Sequence, residues 1–202
     1  MKGKIIYLNG TSSAGKTTLA SELITVLPEK YLYLSLDNYN HEVGKMFVSL
    51  LALDPEVMKN DLAQGKKLLH KPILELMYNT IKVVSELGMN VIVDDVLNNK
   101  FWLEKCCVLL QDHPLFFVKV FCPLEELERR ETHRGNRTIG KASRQLETIH
   151  QHDKYDIEVD TYINTSSECA NQIYEAIYIN KLEPKAFKEI YLQADGNFGG
   201  IA

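Results

Sequence analysis

Short apolar runs alternate with segments of helical periodicity along the chain. The runs are rich in β-branched and aromatic residues, which favour strands, and they cover residues 5–8, 31–36, 91–93, 115–121 and 157–159. Apolar positions at three- and four-residue spacing predict helices between them, notably over residues 17–26, 73–87, 124–133 and 168–179. This alternation is typical of βαβ units. We therefore predict an α/β fold around a buried parallel sheet.

The connection between the second and third predicted strands is too long for a plain crossover. In open α/β sheets, ligands bind beyond the carboxyl ends of the strands. Residues 38–72 follow the second strand, so we predict that they overhang this crevice as a lid on the acceptor side. A helical hairpin without contact to a ligand is the alternative. Residues 184–202 contain several glycines and predict a C-terminal tail that is frayed or loosely docked.

Length and composition describe an ordinary folded domain. The chain has 202 residues, of which 45% are apolar and 25% are charged. These values predict a single domain over residues 1–202 and exclude disordered, collagenous and repeat proteins. The formal net charge is −4, so the chain lacks the basic excess that drives nonspecific binding to nucleic acid. A small molecule is therefore the expected partner.

Cysteine spacing and hydropathy predict a reduced cytoplasmic protein without a membrane partner. The four cysteines form no CxxC pair, so neither a zinc site nor a disulfide framework is indicated. No apolar run approaches the length of a membrane span, and residues 5–8 are typical of a strand rather than a signal peptide. The HQHD segment at residues 150–153 lacks a third, separated ligand and predicts a surface helix end instead of a metal site.

A complete phosphate-binding motif follows the first predicted strand. Residues 10–17 read GTSSAGKT, which matches G-x-x-x-x-G-K-[ST] and ends where a helical pattern begins. Glycines let successive backbone N–H groups point at phosphate oxygens, and the N-terminus of the next helix faces the same anion. A turn and helix cap without a ligand is the alternative. The predicted nucleotide-binding residues are Gly10, Thr11, Ser12, Ser13, Ala14, Gly15, Lys16, Thr17 and Thr18.

Two side chains of this motif have predicted chemical roles. Lys16 would bring a mobile positive charge to the β- and γ-phosphates, and the Thr17 hydroxyl would bind the Mg²⁺ that bridges them. The predicted cofactors are therefore ATP and Mg²⁺. ATP is preferred to GTP because the sequence has no NKxD-like guanine-reading motif.

Acidic residues close two of the predicted strands. The third strand ends in Asp94 and Asp95, the form of a Walker B segment, and the strand pleat directs only one of these two metal-ligand candidates towards the metal. The second strand ends in Asp37, beside the phosphate loop. We predict that Asp37 is the general base, which orients an acceptor hydroxyl and accepts its proton. The alternatives are caps or turns at the third strand and an Asx-turn between Asp37 and Asn38.

A cationic segment follows the fourth predicted strand. Arg130, Arg134 and Arg137 recur at three- and four-residue spacing and can share one helical face. Glutamates lie four residues before the first arginines, but no acids accompany Arg137 or Lys141. We predict that residues 124–142 form a lid, in which Arg134 and Arg137 close over the phosphates and stabilise the transition state. A solvated, ion-paired helix is the alternative.

These motifs stand in one order along the chain, as NGTSSAGKTT, VIVDDVL, CPLEELERRE, RGNRTIGKA and HQHDKYDIEVDT. In this order they resemble the chloramphenicol phosphotransferase-like family of P-loop kinases. The resemblance implies a three-layer fold with a mostly parallel five-stranded sheet and helical lid insertions. It also implies ATP, magnesium and transfer of the γ-phosphoryl group to an alcohol, with the family's base matching Asp37 and its lid arginines matching Arg134 and Arg137. The match is poor over residues 41–85, so the identity of the acceptor stays open.

The leading hypothesis is a cytoplasmic, ATP-dependent kinase that phosphorylates a hydroxyl of a small molecule, as a chloramphenicol 3-O-phosphotransferase does. Two other functions stay open: a nucleotide, nucleoside-sugar or nucleic-acid-end kinase, and an ATP-binding regulatory module without catalysis. Steep weakening of acceptor binding with salt would favour a polyphosphate or nucleic-acid acceptor.

Overall fold

Five parallel strands form a single sheet within the part of the chain that the structure describes. The computed structural model describes residues 1–50, 62–134 and 140–194, with the backbone alone at 47–50, 62–68, 134 and 194. The strands are β1 (Ile5–Asn9), β2 (Tyr31–Ser35), β3 (Asn90–Asp95), β4 (Leu115–Phe121) and β5 (Ile157–Asp160). They pair in the order β2-β3-β1-β4-β5, and every pairing is parallel. The central strand is β1, so the loop that follows it emerges at the middle of the sheet's carboxyl edge.

Helices connect the strands and cover both faces of the sheet. They are α1 (Lys16–Val26), α2 (Leu36–Leu50), α3 (Leu62–Glu86), α4 (Lys100–Leu110), α5 (Leu124–Arg134), α6 (Lys141–Ile149), α7 (Ser166–Tyr174) and α8 (Ala186–Ala194), with a π-helix at Glu175–Ile179. Along β1, Ile6 and Leu8 face the core that includes α1 and α7, whereas Ile5 and Tyr7 face α3, α4 and α8. A strand with apolar side chains on both faces of the sheet needs helices packed against both faces. The predicted three-layer α/β fold with a parallel five-stranded sheet is confirmed.

The region after β2 differs in detail from the prediction. β2 ends at Ser35 and α2 begins at Leu36, so Asp37 lies in the first turn of a helix rather than at the end of a strand. The Asn38 backbone N–H donates to Ser35 Oγ at 3.5 Å, and the helix continues through Asn38 in place of the alternative turn. Of the predicted insertion at 38–72, residues 51–61 lie outside the described residues.

The predicted loose tail is a packed helix over Ala186–Ala194, so that prediction is wrong for this part of the chain. The Phe187 ring contacts the Phe117 ring of β4 edge to face, with 4.7 Å between centroids. The backbone N–H groups of Lys185 and Ala186 donate to Asp156 Oδ1 at 2.8 and 3.0 Å, which caps the helix from outside its own sequence. Residues 195–202 of the predicted tail lie outside the described residues.

All four cysteine thiols are free and buried. Burial raises the pKa of the Cys106 and Cys107 thiols above the ordinary value, which keeps both of them protonated. Among the described helices, none combines the length and the apolar character that a membrane crossing requires.

Candidate active site

The loop between β1 and α1 has the backbone shape of a phosphate cradle. Ser13 and Gly15 have positive φ values of 66° and 88°, and Gly15 is the N-cap of α1. The N-terminal N–H groups of α1 therefore face the concave side of the loop. Gly10 is required for another reason, because a Cβ at this position would lie 2.5 Å from the backbone oxygen of Val120. The first glycine of the motif thus lets the loop approach β4.

Two side chains of the loop suit an anionic ligand. Ser13 Oγ is buried and has no hydrogen-bond partner among the described residues, a rare state that a bound acceptor would relieve. Lys16 Nζ donates to the carbonyl oxygens of Gly10 and Thr11 at 2.8 and 2.9 Å. The loop therefore offers a buried cation and a hydroxyl donor, which fit the phosphate chain of a nucleotide.

Asp94 is the acid of β3 that faces this loop. Its Oδ2 accepts hydrogen bonds from the hydroxyls of Thr17 at 2.8 Å and Tyr33 at 3.0 Å, and its Oδ1 lies 3.7 Å from Lys16 Nζ. Burial, with the nearby charge of Asp94, raises the pKa of Tyr33 to about 12, so this phenol stays a donor. The hydroxyl of Thr17 and the carboxylate of Asp94 are hard oxygen ligands of the kind that Mg²⁺ prefers.

A magnesium ion at this position would also need ligands from its substrate. Within residues 1–50, 62–134 and 140–194, no group of three or more His, Cys, Asp or Glu side chains is suited to hold a metal. Mg²⁺ commonly binds through one or two protein oxygens, with phosphate oxygens and water completing the shell. The oxygens of Thr17 and Asp94 fit that mode of binding.

Asp95 also lines the cleft of the phosphate loop, but its carboxylate makes its hydrogen bonds on the other side of β3. Its Oδ2 accepts from the hydroxyls of Tyr7 and Tyr78, and its Oδ1 accepts from the Val96 backbone N–H at 2.6 Å. Burial raises the pKa of the Asp95 carboxyl, although the Tyr7 hydrogen bond acts in the opposite direction. The structure therefore brings Asp94, and not Asp95, against Thr17. Asp95 instead joins the end of β3 to β1 and α3.

Asp37 lines the same cleft as the phosphate loop. The cleft is lined from three sides by Lys16 and Thr17 of α1, Asp94 of β3 and Asp37 of α2. Lys141, the first residue of α6, also lines it. The structure thus brings together the predicted base, the predicted phosphate-binding lysine and the candidate metal ligands. Lys141 is a cation of the predicted lid that reaches this cleft.

The predicted lid is described at its two ends. Arg137 lies outside the described residues, and Arg134 is described only by its backbone at the end of α5. The buried Glu131 carboxylate joins the two ends, since it accepts from the backbone N–H groups of Gly140 and Ala142 at 2.9 and 2.8 Å. The start of α6 is therefore tied to α5. The roles of Arg134 and Arg137 stay predictions.

Arg130 makes contacts that sequence reasoning missed. It pairs with Glu126 at 2.7 Å, as a solvated helix would predict. It also donates to the carbonyl oxygens of Ser13 at 3.4 Å and Thr161 at 2.8 Å. The Thr161 hydroxyl in turn donates to the Ala14 carbonyl at 2.9 Å. Arg130 and Thr161 therefore hold the phosphate loop from behind, and the sequence signal for them was their place in the CPLEELERRE and YDIEVDT segments.

A cavity of about 460 Å³ opens beside Gly15, outside the cleft that holds Asp37. The residues that line it include Arg130, Thr161, Asn164 and Thr165. This volume is within the usual range for small-molecule sites. The cavity could hold the nucleoside part of a nucleotide whose phosphates lie in the loop.

The HQHD segment lies at the end of α6, as predicted, and Gln151 and Asp153 are exposed, but the two histidines are half-buried. His152 stacks on Phe117 with 5.4 Å between ring centroids, and His150 Nδ1 lies 2.7 Å from the Tyr155 hydroxyl. That hydroxyl accepts from Asn9 Nδ2 at 3.0 Å, directly before the phosphate loop. Burial lowers the pKa of both histidines to about 4. The neutral His150 imidazole therefore supports the start of the loop through the Tyr155 hydroxyl.

We expect acid to destabilise the protein through His150 and His152. Their folded-state pKa values of about 4 lie below the value of about 6.5 for an exposed histidine. Between these values the unfolded chain binds more protons than the folded protein, so stability is full above pH ~6.5 and falls towards pH ~4. In the variant that carries His150→Gln and His152→Phe, urea unfolding at pH ~7.5 and ~5 should show a smaller difference than in the wild type.

The control for this measurement is His70→Gln, since His70 is exposed. It should lose as much stability in acid as the wild type does. An equal loss in the double variant would show that other groups cause the sensitivity to acid.

Comparisons with known proteins identify the family of this chain. The model of the family described as chloramphenicol phosphotransferase-like protein matches residues 3–178. A Mycobacterium tuberculosis protein named "Putative O-phosphotransferase Rv2636" is 31% identical over 185 residues, which cover 87% of this chain and 82% of the relative.

Solved structures with similar folds include proteins named as kinases. The APS kinase of Mycobacterium tuberculosis, determined with AMPPNP and APS, has a TM-score of 0.62 and 18% identity, covering 87% of this chain and 98% of its own. A Sinorhizobium meliloti gluconokinase has a TM-score of 0.60 and 16% identity, covering 95% and 97%. At these identities the likeness shows the fold alone. The family is shown by the match over residues 3–178 and by the 31% identical relative, and the chain belongs to the chloramphenicol phosphotransferase-like family.

Proposed function

We propose that this protein transfers the γ-phosphoryl group of ATP to a hydroxyl of a small molecule. The observation that carries the proposal is the cleft in which Lys16, Thr17, Asp94 and Asp37 lie together. Phosphoryl transfer needs positioning and charge stabilisation more than covalent chemistry. A phosphate cradle, a candidate metal site and an exposed carboxylate in one cleft meet those needs.

The chain's own groups divide the work in this proposal. The loop N–H groups, Ser13 Oγ and Lys16 would hold the phosphates. Thr17 and Asp94 would hold magnesium, which would supply positive charge to neutralise the phosphates. Asp37 orients the acceptor hydroxyl and accepts its proton. As this happens, the hydroxyl oxygen bonds to the γ-phosphorus and the bond from phosphorus to the ADP oxygen breaks. Arg134, Arg137 and Lys141 would add positive charge around the transferred group.

The cavity beside Gly15 supports a nucleotide as the phosphoryl donor, because it shares Ser13 and Gly15 with the cradle and has room for a nucleoside. The name of the Mycobacterium tuberculosis relative specifies transfer to oxygen, which is the transfer proposed for this chain. We place the enzyme in the cytoplasm, where free thiols such as its four buried cysteines stay reduced.

A mass-spectrometric screen tests the proposal. The protein is incubated with ATP, Mg²⁺ and a panel of hydroxylated metabolites and antibiotics that includes chloramphenicol. We expect one class of acceptor to gain about 80 Da, the mass of a phosphoryl group. The Lys16→Ala variant should give no product, whereas Lys45→Ala should behave as the wild type, since Lys45 is an exposed residue of α2 that pairs with Glu42.

Two results would contradict the proposal. Mg²⁺-dependent binding of ATP without any product would favour a non-catalytic ATP-binding module. Product formed only on polynucleotide ends or nucleotides, with acceptor affinity that falls steeply with salt, would favour the alternative class of kinase.

A further inference from the structure

Gln145 of α6 contacts the phosphate loop directly. The Ser12 backbone N–H donates to Gln145 Oε1 at 2.7 Å. Backbone N–H groups of such a loop are the donors that cradle nucleotide phosphates. The side-chain amide oxygen of Gln145 therefore accepts a hydrogen bond from a donor of the cradle that a phosphate oxygen would otherwise use. This contact joins the loop to the helix that follows the predicted lid.

Helix α6 holds Gln145 in this position from both ends. At its start, Glu131 accepts from the N–H groups of Gly140 and Ala142 at 2.9 and 2.8 Å. At its end, Ile149 is buried and His150 lies 2.7 Å from the Tyr155 hydroxyl. Because both ends are anchored, the orientation of Gln145 towards Ser12 is set by the fold.

A phosphate oxygen competes well for the Ser12 N–H. Hydrogen bonds to charged acceptors are about twice as strong as those to a neutral amide oxygen. A nucleotide can therefore displace Gln145, but its binding must first break the existing bond. The net strength of one hydrogen bond of this kind would lower the affinity of the protein for the nucleotide by about fivefold.

We propose that Gln145 is an internal competitor for the phosphate site. Its side chain occupies the Ser12 N–H when no nucleotide is bound, and phosphate displaces it. Displacement breaks this contact between α6 and the loop, so the exchange of backbone amides in α6 responds to nucleotide occupancy. This inference rests on the proposed nucleotide binding and adds a residue that sets nucleotide affinity.

Calorimetric titration with AMPPNP and Mg²⁺ tests the competition. Gln145→Leu keeps the size of the side chain but removes the acceptor, so it should bind AMPPNP about fivefold more tightly than the wild type. Gln145→Glu places a charged acceptor on the Ser12 N–H and repels phosphate, so it should bind at least about fivefold more weakly. Glu147→Leu changes an exposed residue of α6 and should leave the affinity unchanged.

Hydrogen–deuterium exchange on the unmodified protein provides a second measurement. Exchange of the backbone amides over Lys141–Ile149 should change when AMPPNP binds the wild type. Unchanged exchange in this helix would overturn the inference and leave the proposed function standing. So would an AMPPNP affinity of Gln145→Leu that is unchanged or weaker, provided that this variant keeps the thermal stability of the wild type. A wild-type protein that binds no nucleotide would contradict the proposed function as well, so the two failures are distinguishable.

Discussion

Replacing Asp37 by Asn is expected to lower the rate of phosphoryl transfer by a factor of about 10² to 10⁴. The substitution keeps the size of the side chain and one oxygen acceptor but removes the group that accepts the proton. Asp37 lines the cleft from α2, whereas Lys16, Thr17 and Asp94 supply the candidate contacts to phosphate and metal. Nucleotide affinity should therefore change by less than about twofold.

A matched control removes the same charge from the same helix. Glu42 is an exposed residue of α2, 3.3 Å from Lys45, so Glu42→Gln should leave the rate unchanged. Initial rates with the acceptor from the screen, together with AMPPNP titrations, separate catalysis from nucleotide binding. Full activity in Asp37→Asn would remove Asp37 from the mechanism. A parallel loss of nucleotide affinity would assign it to the nucleotide site instead.

The sequence predicted the middle of the sheet well because β1, β3 and β4 are buried along almost their whole length. Such strands are continuous apolar runs, and the run before the phosphate motif coincides with β1 at Ile5–Asn9. The prediction was wrong at α8, because Pro184 before this helix and the glycines after it are typical of a loose tail. Burial of that helix depends on Phe117, which lies on β4, and on the Asp156 cap. Contacts between residues so far apart along the chain produce no pattern in the local sequence from which the packing of α8 could be predicted.

The same distinction applies to the site. The phosphate motif and the acids at the end of β3 predicted two groups that the fold brings together, since the Thr17 hydroxyl lies 2.8 Å from Asp94. The sequence did not predict that Arg130 contacts the phosphate loop. Its spacing from Glu126 indicates a local ion pair, which is a sufficient explanation for an arginine on a helix. The sequence also did not predict the hydrogen bond between Ser12 and Gln145, which are 133 positions apart. A neutral polar residue in an amphipathic helix has no spacing that would set it apart from the other polar residues of that helix.

The two acids at the end of β3 should respond differently to the same substitution. Asp94→Asn weakens a hard anionic ligand beside Thr17, so we expect transfer to fall by about 10²-fold and Mg²⁺ to improve AMPPNP binding less than in the wild type. Stability should change little, because the remaining amide oxygen can still accept from Thr17 and Tyr33, which donate to Asp94 at 2.8 and 3.0 Å.

Asp95→Asn should instead destabilise the fold. The buried Asp95 carboxylate accepts from two tyrosine hydroxyls and from the Val96 N–H, and an amide nitrogen among these donors leaves one of them unsatisfied. The free energy of unfolding should fall by about 1–3 kcal/mol, as urea denaturation would measure, while Mg²⁺ still strengthens AMPPNP binding. Tyr7→Phe, which removes one donor, is a milder control. If Asp95→Asn kept full stability and lost the magnesium effect, the positions assigned to the two acids would have to be exchanged.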